Sequence, residues 1–180
     1  GNPGNRMMPL SDAVLVKLGE IVGKDNLATD IATRYIYGAD ASIHHHMPDV
    51  VVRPGCTREV SDIMKLCDQE LLPVTTRGAG TGLSGQAVPV RGGIVLEMMR
   101  MNRIICVRVE DLYCEVEPGV IFANVNKALE PHGYWFPPAP GSGDVCTIGG
   151  MIANSASGIR TVKYGATRDL VLGLEVVLAD

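Results

Sequence analysis

The chain has 180 residues, a net charge of −4, 46% hydrophobic residues and only 4% aromatic ones. That length can bury a real core in one or two small domains, while the acidic balance argues against general nucleic-acid binding and the scarce aromatics against a stacking platform for single strands. No run approaches the roughly 20 apolar residues that a membrane-spanning helix needs.

In chain order, Gly1-Asn2-Pro3-Gly4-Asn5 lacks the pattern of a signal peptide and reads as an expression remnant. Ser11 caps a helix with Val14, Leu15, Leu18, Ile21 and Val22 at helical spacing, and Gly23 stops it. Residues 30–35 read as a short helical turn and 38–49 as a polar loop. Val50-Val51-Val52, between Pro48 and Pro54, reads as a buried strand. Thr57 is the expected N-cap of a helix carrying Val60, Ile63, Met64 and Cys67 and ending near Glu70. Val74-Thr75-Thr76 completes a β-α-β unit. Residues 93–98, 103–109 and 113–117 read as three further strands, and their short connections suggest antiparallel pairing. Pro118-Gly119 makes a turn. Phe122, Val125 and Leu129 mark a helix ended by Pro131 and Gly133, and residues 175–178 read as a final strand.

Two stretches carry the chemistry. The first is Arg77-Gly78-Ala79-Gly80-Thr81-Gly82-Leu83-Ser84-Gly85, placed at the carboxyl end of the second strand, where ligands bind in α/β sheets. Glycine permits φ > 0 and close approach of backbone N–H groups to a ligand, and successive inward N–H groups make an anion-binding concavity. Gly80 to Gly85 satisfies G-x-G-x-x-G, but a Rossmann site requires a helix to start there. Pro89, Gly92 and Gly93 follow instead, and then a strand. No Walker pattern occurs. Arg77 reads either as a cation near a diphosphate or as a structural ion-pairing group.

The second stretch begins with the stiff loop 135–144, in which Pro137, Pro138 and Pro140 fix φ while Gly141 and Gly143 let the chain fold back. Residues 146–158 follow, and nearly all from Gly149 onward are small. Ser142 and Thr147 offer hydroxyls, and Thr147 suits the N-cap of a short helix. Tight helix–sheet packing with no ligand is the competing reading of this stretch.

The five cysteines, Cys56, Cys67, Cys106, Cys114 and Cys146, are odd in number and form no C-x-x-C, which favours reduced thiols in the cytoplasm over a disulfide framework. His44-His45-His46 invites a metal reading. Adjacent side chains point in different directions, so the run is read as a solvated or packing loop and no metal site is assigned.

Taken together, these segments resemble the FAD-binding domain of the vanillyl-alcohol-oxidase or p-cresol-methylhydroxylase type. The branch of glycolate oxidase flavin subunits and of D-lactate and D-2-hydroxyglutarate dehydrogenases matches best. The resemblance rests on Pro48 to Val52 with Pro54, Glu59-Val60, Arg77 to Gly85, Gly93 to Leu96 and Met101 to Ile104. It continues through Glu117 to Val120, Pro137-Pro138, Thr147 to Gly150, Asn154 to Gly158, Lys163 to Gly165 and Leu174 to Leu178. It implies an α+β fold, a small β-α-β part plus a mostly antiparallel sheet flanked by helices. It implies an N-terminal helical segment at 6–47 and an incomplete FAD domain at 48–180.

By resemblance, Arg77, Gly78, Ala79, Gly80, Thr81, Gly82, Leu83, Ser84 and Gly85 wrap the FAD diphosphate. Pro140, Gly141, Ser142, Thr147, Gly149, Gly150, Asn154, Ser157 and Gly158 line the other side of the cofactor, and Val177 lies near the adenine. Some members attach FAD through a histidine of the glycine loop. Thr81 stands there in this chain, which implies non-covalent FAD. The implied reaction is oxidation of a 2-hydroxy acid to a 2-oxo acid by hydride transfer to flavin, with electrons passing to an acceptor other than NAD. Family members continue beyond the span of this chain, so the catalytic base is expected outside it, and the uncovered apolar face implies partner subunits or self-association. The same scaffold also serves alkyl-glycerone-phosphate synthesis, sugar-lactone oxidation and cytokinin oxidation. A non-enzymatic nucleotide-binding module and an interaction domain without cofactor are the remaining readings.

Overall fold

A computed structural model describes residues 10–179. The residues read as an expression remnant lie outside them. The chain divides into two compact units, one reaching to Glu97 and including the stretch from Val177, the other spanning Met98–Val176.

In the first unit, helix α1 (Asp12–Val22) starts at Ser11, whose hydroxyl accepts the Val14 N–H, and stops at Gly23 with φ 82°. It buries Val14, Leu18 and Val22 and packs against α3 (Thr57–Gln69), which buries Val60, Ile63, Leu66 and Cys67. A short helix α2 (Ile31–Tyr37) is capped by Asp30. The N-cap of α3 is Cys56 rather than the expected Thr57, and Cys56 makes no side-chain cap. Glu59 reaches back instead, accepting the Gly55 N–H at 2.7 Å, so a carboxylate serves the helix start.

Four strands form the sheet: β1 (Leu27–Ala28), β2 (Val50–Val52), β3 (Val74–Arg77) and β4 (Ile94–Glu97), in the order β1-β2-β4-β3. Strand β1 pairs antiparallel with β2, whereas β4 pairs parallel with both β2 and β3. The expected antiparallel pairing of residues 93–98 with the next strands is therefore corrected. Residues 94–97 fill the centre of the sheet, between the two strands of the β-α-β unit. The burial explains the placement. Val50, Val51, Val52, Ile94, Val95 and Leu96 are all buried, as befits inner strands covered on both faces. The edge strand β3 is Val-Thr-Thr-Arg and only half-buried, and the glycine loop leaves the sheet from this edge.

In the second unit, β5 (Ile104–Arg108) and β6 (Tyr113–Val116) make the expected antiparallel hairpin, with an irregularity between Ile104 and Cys106. Helices α4 (Phe122–Leu129), α5 (Ile148–Ala153) and α6 (Thr161–Tyr164) follow. Val120, Val125, Cys146, Ile148 and Met151 form the core, with Phe122, Leu129 and Phe136 against it. The expected strand at 175–178 is not observed. No strand pairs with it among the described residues, and strand structure requires a laddered neighbour. Leu174, Val176 and Leu178 are exposed there.

Buried Glu117 anchors the hairpin to the turn that follows. Its carboxylate accepts the Arg103 N–H at 2.7 Å and the Arg103 guanidinium at 3.0 and 2.7 Å. The Arg103 side-chain bonds hold this carboxyl below its usual range, against the upward push of burial. A depressed folded-state pKa means the stabilisation is complete above the ordinary carboxylate range and is lost as pH falls through the folded value. Glu117→Gln is expected to cost about 1–2 kcal/mol near pH 7, since Arg103 is largely solvated. Urea unfolding should show the gap between parent and variant closing in acid. A pH-independent gap would rule out the charged pair as its source.

Candidate functional site

The glycine loop begins where β3 ends. The Arg77 guanidinium turns back onto the first unit, donating to the Ala39 carbonyl and lying 5.2 Å from the Tyr37 ring centroid. Burial lowers its pKa, while Tyr37, Asp40 and Glu97 act in the opposite direction. Gly80 (φ 71°) and Gly85 (φ 78°) occupy the left-handed region that favours glycine. A Cβ on Gly80 would fall on the Arg77 guanidinium. Arg77 therefore acts as a brace beneath the loop, and no helix follows it.

The loop's hydrogen bonding is the informative part. Gly80 supplies its carbonyl to the Ala41 N–H at 3.1 Å, and Gly85 supplies its carbonyl to the Val88 N–H. Among the described residues, none of the N–H groups of Gly78, Ala79, Gly80, Thr81, Gly82, Leu83, Ser84 or Gly85 has a protein acceptor. A run of donors left unused by the protein, on a loop with two left-handed glycines, has the makings of an anion cradle.

The second glycine-rich stretch, in the other unit, is built differently. Thr147 caps α5, its buried hydroxyl accepting the Gly150 N–H at 3.2 Å. The N–H groups of Ile148, Gly149, Met151, Asn154, Ser155 and Ala156 all donate to main-chain carbonyls. The Gly158 N–H donates to Thr161 Oγ1 at 2.8 Å. The glycines are there for close approach. A Cβ on Gly149 would stand 2.7 Å from Pro118 Cβ, one on Gly143 would meet the Phe122 ring at 3.0 Å, and one on Gly158 would fall on the Ala139 carbonyl. Ser142 accepts the Val145 and Cys146 N–H groups through its carbonyl, and Pro140 that of Gly143. Gly141, Asn154 and Ser157 are exposed, and Val177, in the first unit, is half-buried.

The sequence reading missed the segment that flanks the first loop. Asp40 Oδ1 accepts the Ser42 N–H at 2.9 Å, and Ser42 Oγ accepts the His44 N–H at 3.1 Å. These turns, with the Ala41–Gly80 bond, lay residues 40–44 along the glycine loop. Only the polar character of 38–49 hinted at a role. The three adjacent histidines diverge. His44 faces Gly85, His45 packs on Tyr35 with Nε2 3.1 Å from the Tyr35 carbonyl, and the His46 N–H donates to Gly38.

Residues 48–180 match the profile of a family described as "FAD binding domain". The glycolate oxidase subunit GlcD of Bacillus subtilis (strain 168) is 41% identical over 165 residues, covering 91% of this chain and 35% of that protein. A mitochondrial D-lactate dehydrogenase (cytochrome) of Arabidopsis thaliana is 40% identical over 160 residues, 87% of this chain and 28% of that protein. Among solved structures, p-cresol methylhydroxylase with substrate bound aligns at a TM-score of 0.72 and 23% identity, over 82% of this chain and 30% of its own. The chain thus spans about a third or less of the length of these curated relatives.

Proposed function

Since this chain belongs to the family of FAD-binding domains, we propose that it is the cofactor-holding part of a flavoenzyme that oxidises a 2-hydroxy acid, such as glycolate or D-lactate, to the 2-oxo acid. The relatives named as glycolate oxidase subunit and D-lactate dehydrogenase support that substrate class. The observation that carries the reading is the run of unengaged N–H groups from Gly78 to Gly85. A diphosphate fits such donors, because each charge-assisted bond contributes about 1.5–3 kcal/mol.

In this reading Gly78 to Gly85 hold the diphosphate by main-chain donors, and Arg77 sets the loop's shape from beneath. Pro140, Gly141, Ser142, Thr147, Gly149, Gly150, Asn154, Ser157 and Gly158 line the cofactor by shape, since most of their stretch's N–H groups serve the fold. Val177 lies toward the adenine. Thr81 stands where a histidine would be needed for attachment within the loop, so FAD is held non-covalently. When bound, FAD supplies two-electron oxidation of the substrate; this chain supplies its placement. The FAD domain is read as 48–180, with 6–47 as an N-terminal segment that adds β1 to the sheet. No helix among the described residues is long and apolar enough to cross a membrane. The five free cysteines support a reducing, cytoplasmic setting. Exposed Ile159, Val162, Leu172 and Leu174 support contact with partner subunits or a second copy.

A titration of FAD followed by flavin fluorescence tests the proposal. FAD has about 53 heavy atoms, and large ligands reach roughly −0.3 kcal/mol per atom, or about −16 kcal/mol in all. Half of those contacts leaves about −8 kcal/mol, a dissociation constant near 1 μM. Saturable binding near that value, with ADP much weaker, is the expected result. ADP binding as tight as FAD would favour a nucleotide-binding module, and no FAD binding at about 100-fold that concentration would remove the cofactor role.

A further inference from the structure

The loop between α2 and β2 holds an imidazole at the edge of the glycine cradle. The bonds Ser42 N–H to Asp40 Oδ1, His44 N–H to Ser42 Oγ and Ala41 N–H to the Gly80 carbonyl tie this loop to the cradle. They bring the His44 ring so close to Gly85 that a Cβ there would stand 3.0 Å from Cδ2 and 3.7 Å from Ser42 Oγ. The ring is exposed, and neither of its nitrogens has a hydrogen-bond partner among the described residues. The N–H groups that it flanks have none either.

We propose that His44 is a further cofactor-contact residue, whose protonated imidazole gives the dinucleotide's diphosphate a cationic partner at the Gly85 end of the cradle. The inference rests on the FAD-binding role of the loop. Arg77 cannot serve that end, because it lies under Gly80 and is engaged with Ala39 and Tyr37. Imidazole is the side chain that changes charge between about pH 5 and 8. A bridging diphosphate keeps its charges across that range, so any gain in affinity comes from the protein side.

Asp40 lies on the same segment as His44. Burial pushes its carboxyl up, but hydrogen bonding from Ser42 and the nearby Arg77 charge outweigh this and keep it ionised. His45 is turned onto Tyr35, and His46 follows in the chain. From the glycine loop, His44 meets Gly85, which does not titrate. Because the cation binds the anion more tightly, affinity rises as pH falls.

FAD titrations of the unaltered chain, His44→Gln and His45→Gln at pH 5.5 and 8.5 test this directly. The unaltered chain and His45→Gln should bind about tenfold more tightly at the lower pH, and His44→Gln should bind equally at both, matching the parent at pH 8.5. FAD binding with the same pH response in His44→Gln would overturn the inference alone. No FAD binding by the unaltered chain at either pH would overturn the FAD role of the loop and the inference with it.

Discussion

Gly80→Asp should weaken FAD binding by at least about 100-fold while leaving the chain folded. The added Cβ meets the guanidinium end of the flexible Arg77 side chain, which must give up its Ala39 and Tyr37 contacts to move aside. Aspartate is also among the residues that tolerate left-handed φ, which Gly80 holds at 71°. The fold therefore has a response that displaces a side chain rather than backbone, but the cradle does not. The carboxylate enters beside donors that await an anion. At about 5 Å and an effective dielectric near 20, repulsion between unit charges is roughly 3 kcal/mol, more than two decades in affinity. Gly80→Ala displaces Arg77 without adding charge, so it should fall between parent and Asp variant. Fluorescence titration beside circular dichroism separates the effects. A folded Asp variant with parental affinity would place the diphosphate elsewhere.

The second large effect is on stability and lies in the other glycine-rich stretch. Gly158→Ala should cost about 2–4 kcal/mol. Its Cβ would fall on the Ala139 carbonyl and stand 2.9 Å from Pro140 N. Both are backbone atoms of a loop in which Pro137, Pro138 and Pro140 fix φ, so the obstruction cannot rotate away. Gly141→Ala, where nothing lies within 4 Å, should change stability by less than about 0.5 kcal/mol. Thermal unfolding without FAD makes the comparison, with about 2–4 °C per kcal/mol expected for a chain of this size. Equal melting of the two variants would show that Gly158 is not there for packing, and that a ligand is the reason for its small size.

The α+β fold of p-cresol-methylhydroxylase type expected from the sequence is the one observed, and its elements were legible to different degrees. Ser11 and Gly23 bracket α1 because a hydroxyl cap and a left-handed stop act within one turn of chain. Thr147 capping α5 and the β5–β6 hairpin were legible for the same reason. The N-cap of α3 was misplaced by one residue, because Glu59 took over service of the helix start. The strand Leu27–Ala28 was not anticipated at all, being too short to show a pattern.

Within the candidate site, sequence alone identified the glycine loop and rejected a Rossmann site, because Pro89, Gly92 and Gly93 cannot continue a helix. It left open whether the second glycine-rich stretch served a ligand or packing. Glycine looks the same in both uses, and only the destination of each N–H group separates them. Unused donors mark Gly78 to Gly85, while bonded donors and blocked Cβ positions mark much of 143–158.

What this sequence determined by itself is local: caps, periodicity, turn residues and a glycine pattern specific enough to carry a family resemblance. Tertiary structure alone decided that residues 94–97 sit between β2 and β3, that Arg77 braces its loop from beneath, and that His44 stands against Gly85. The physical reason is common to all three. Each depends on contacts between residues far apart in the chain, whose free energy comes from shared burial and hydrogen bonding that no single segment's composition encodes.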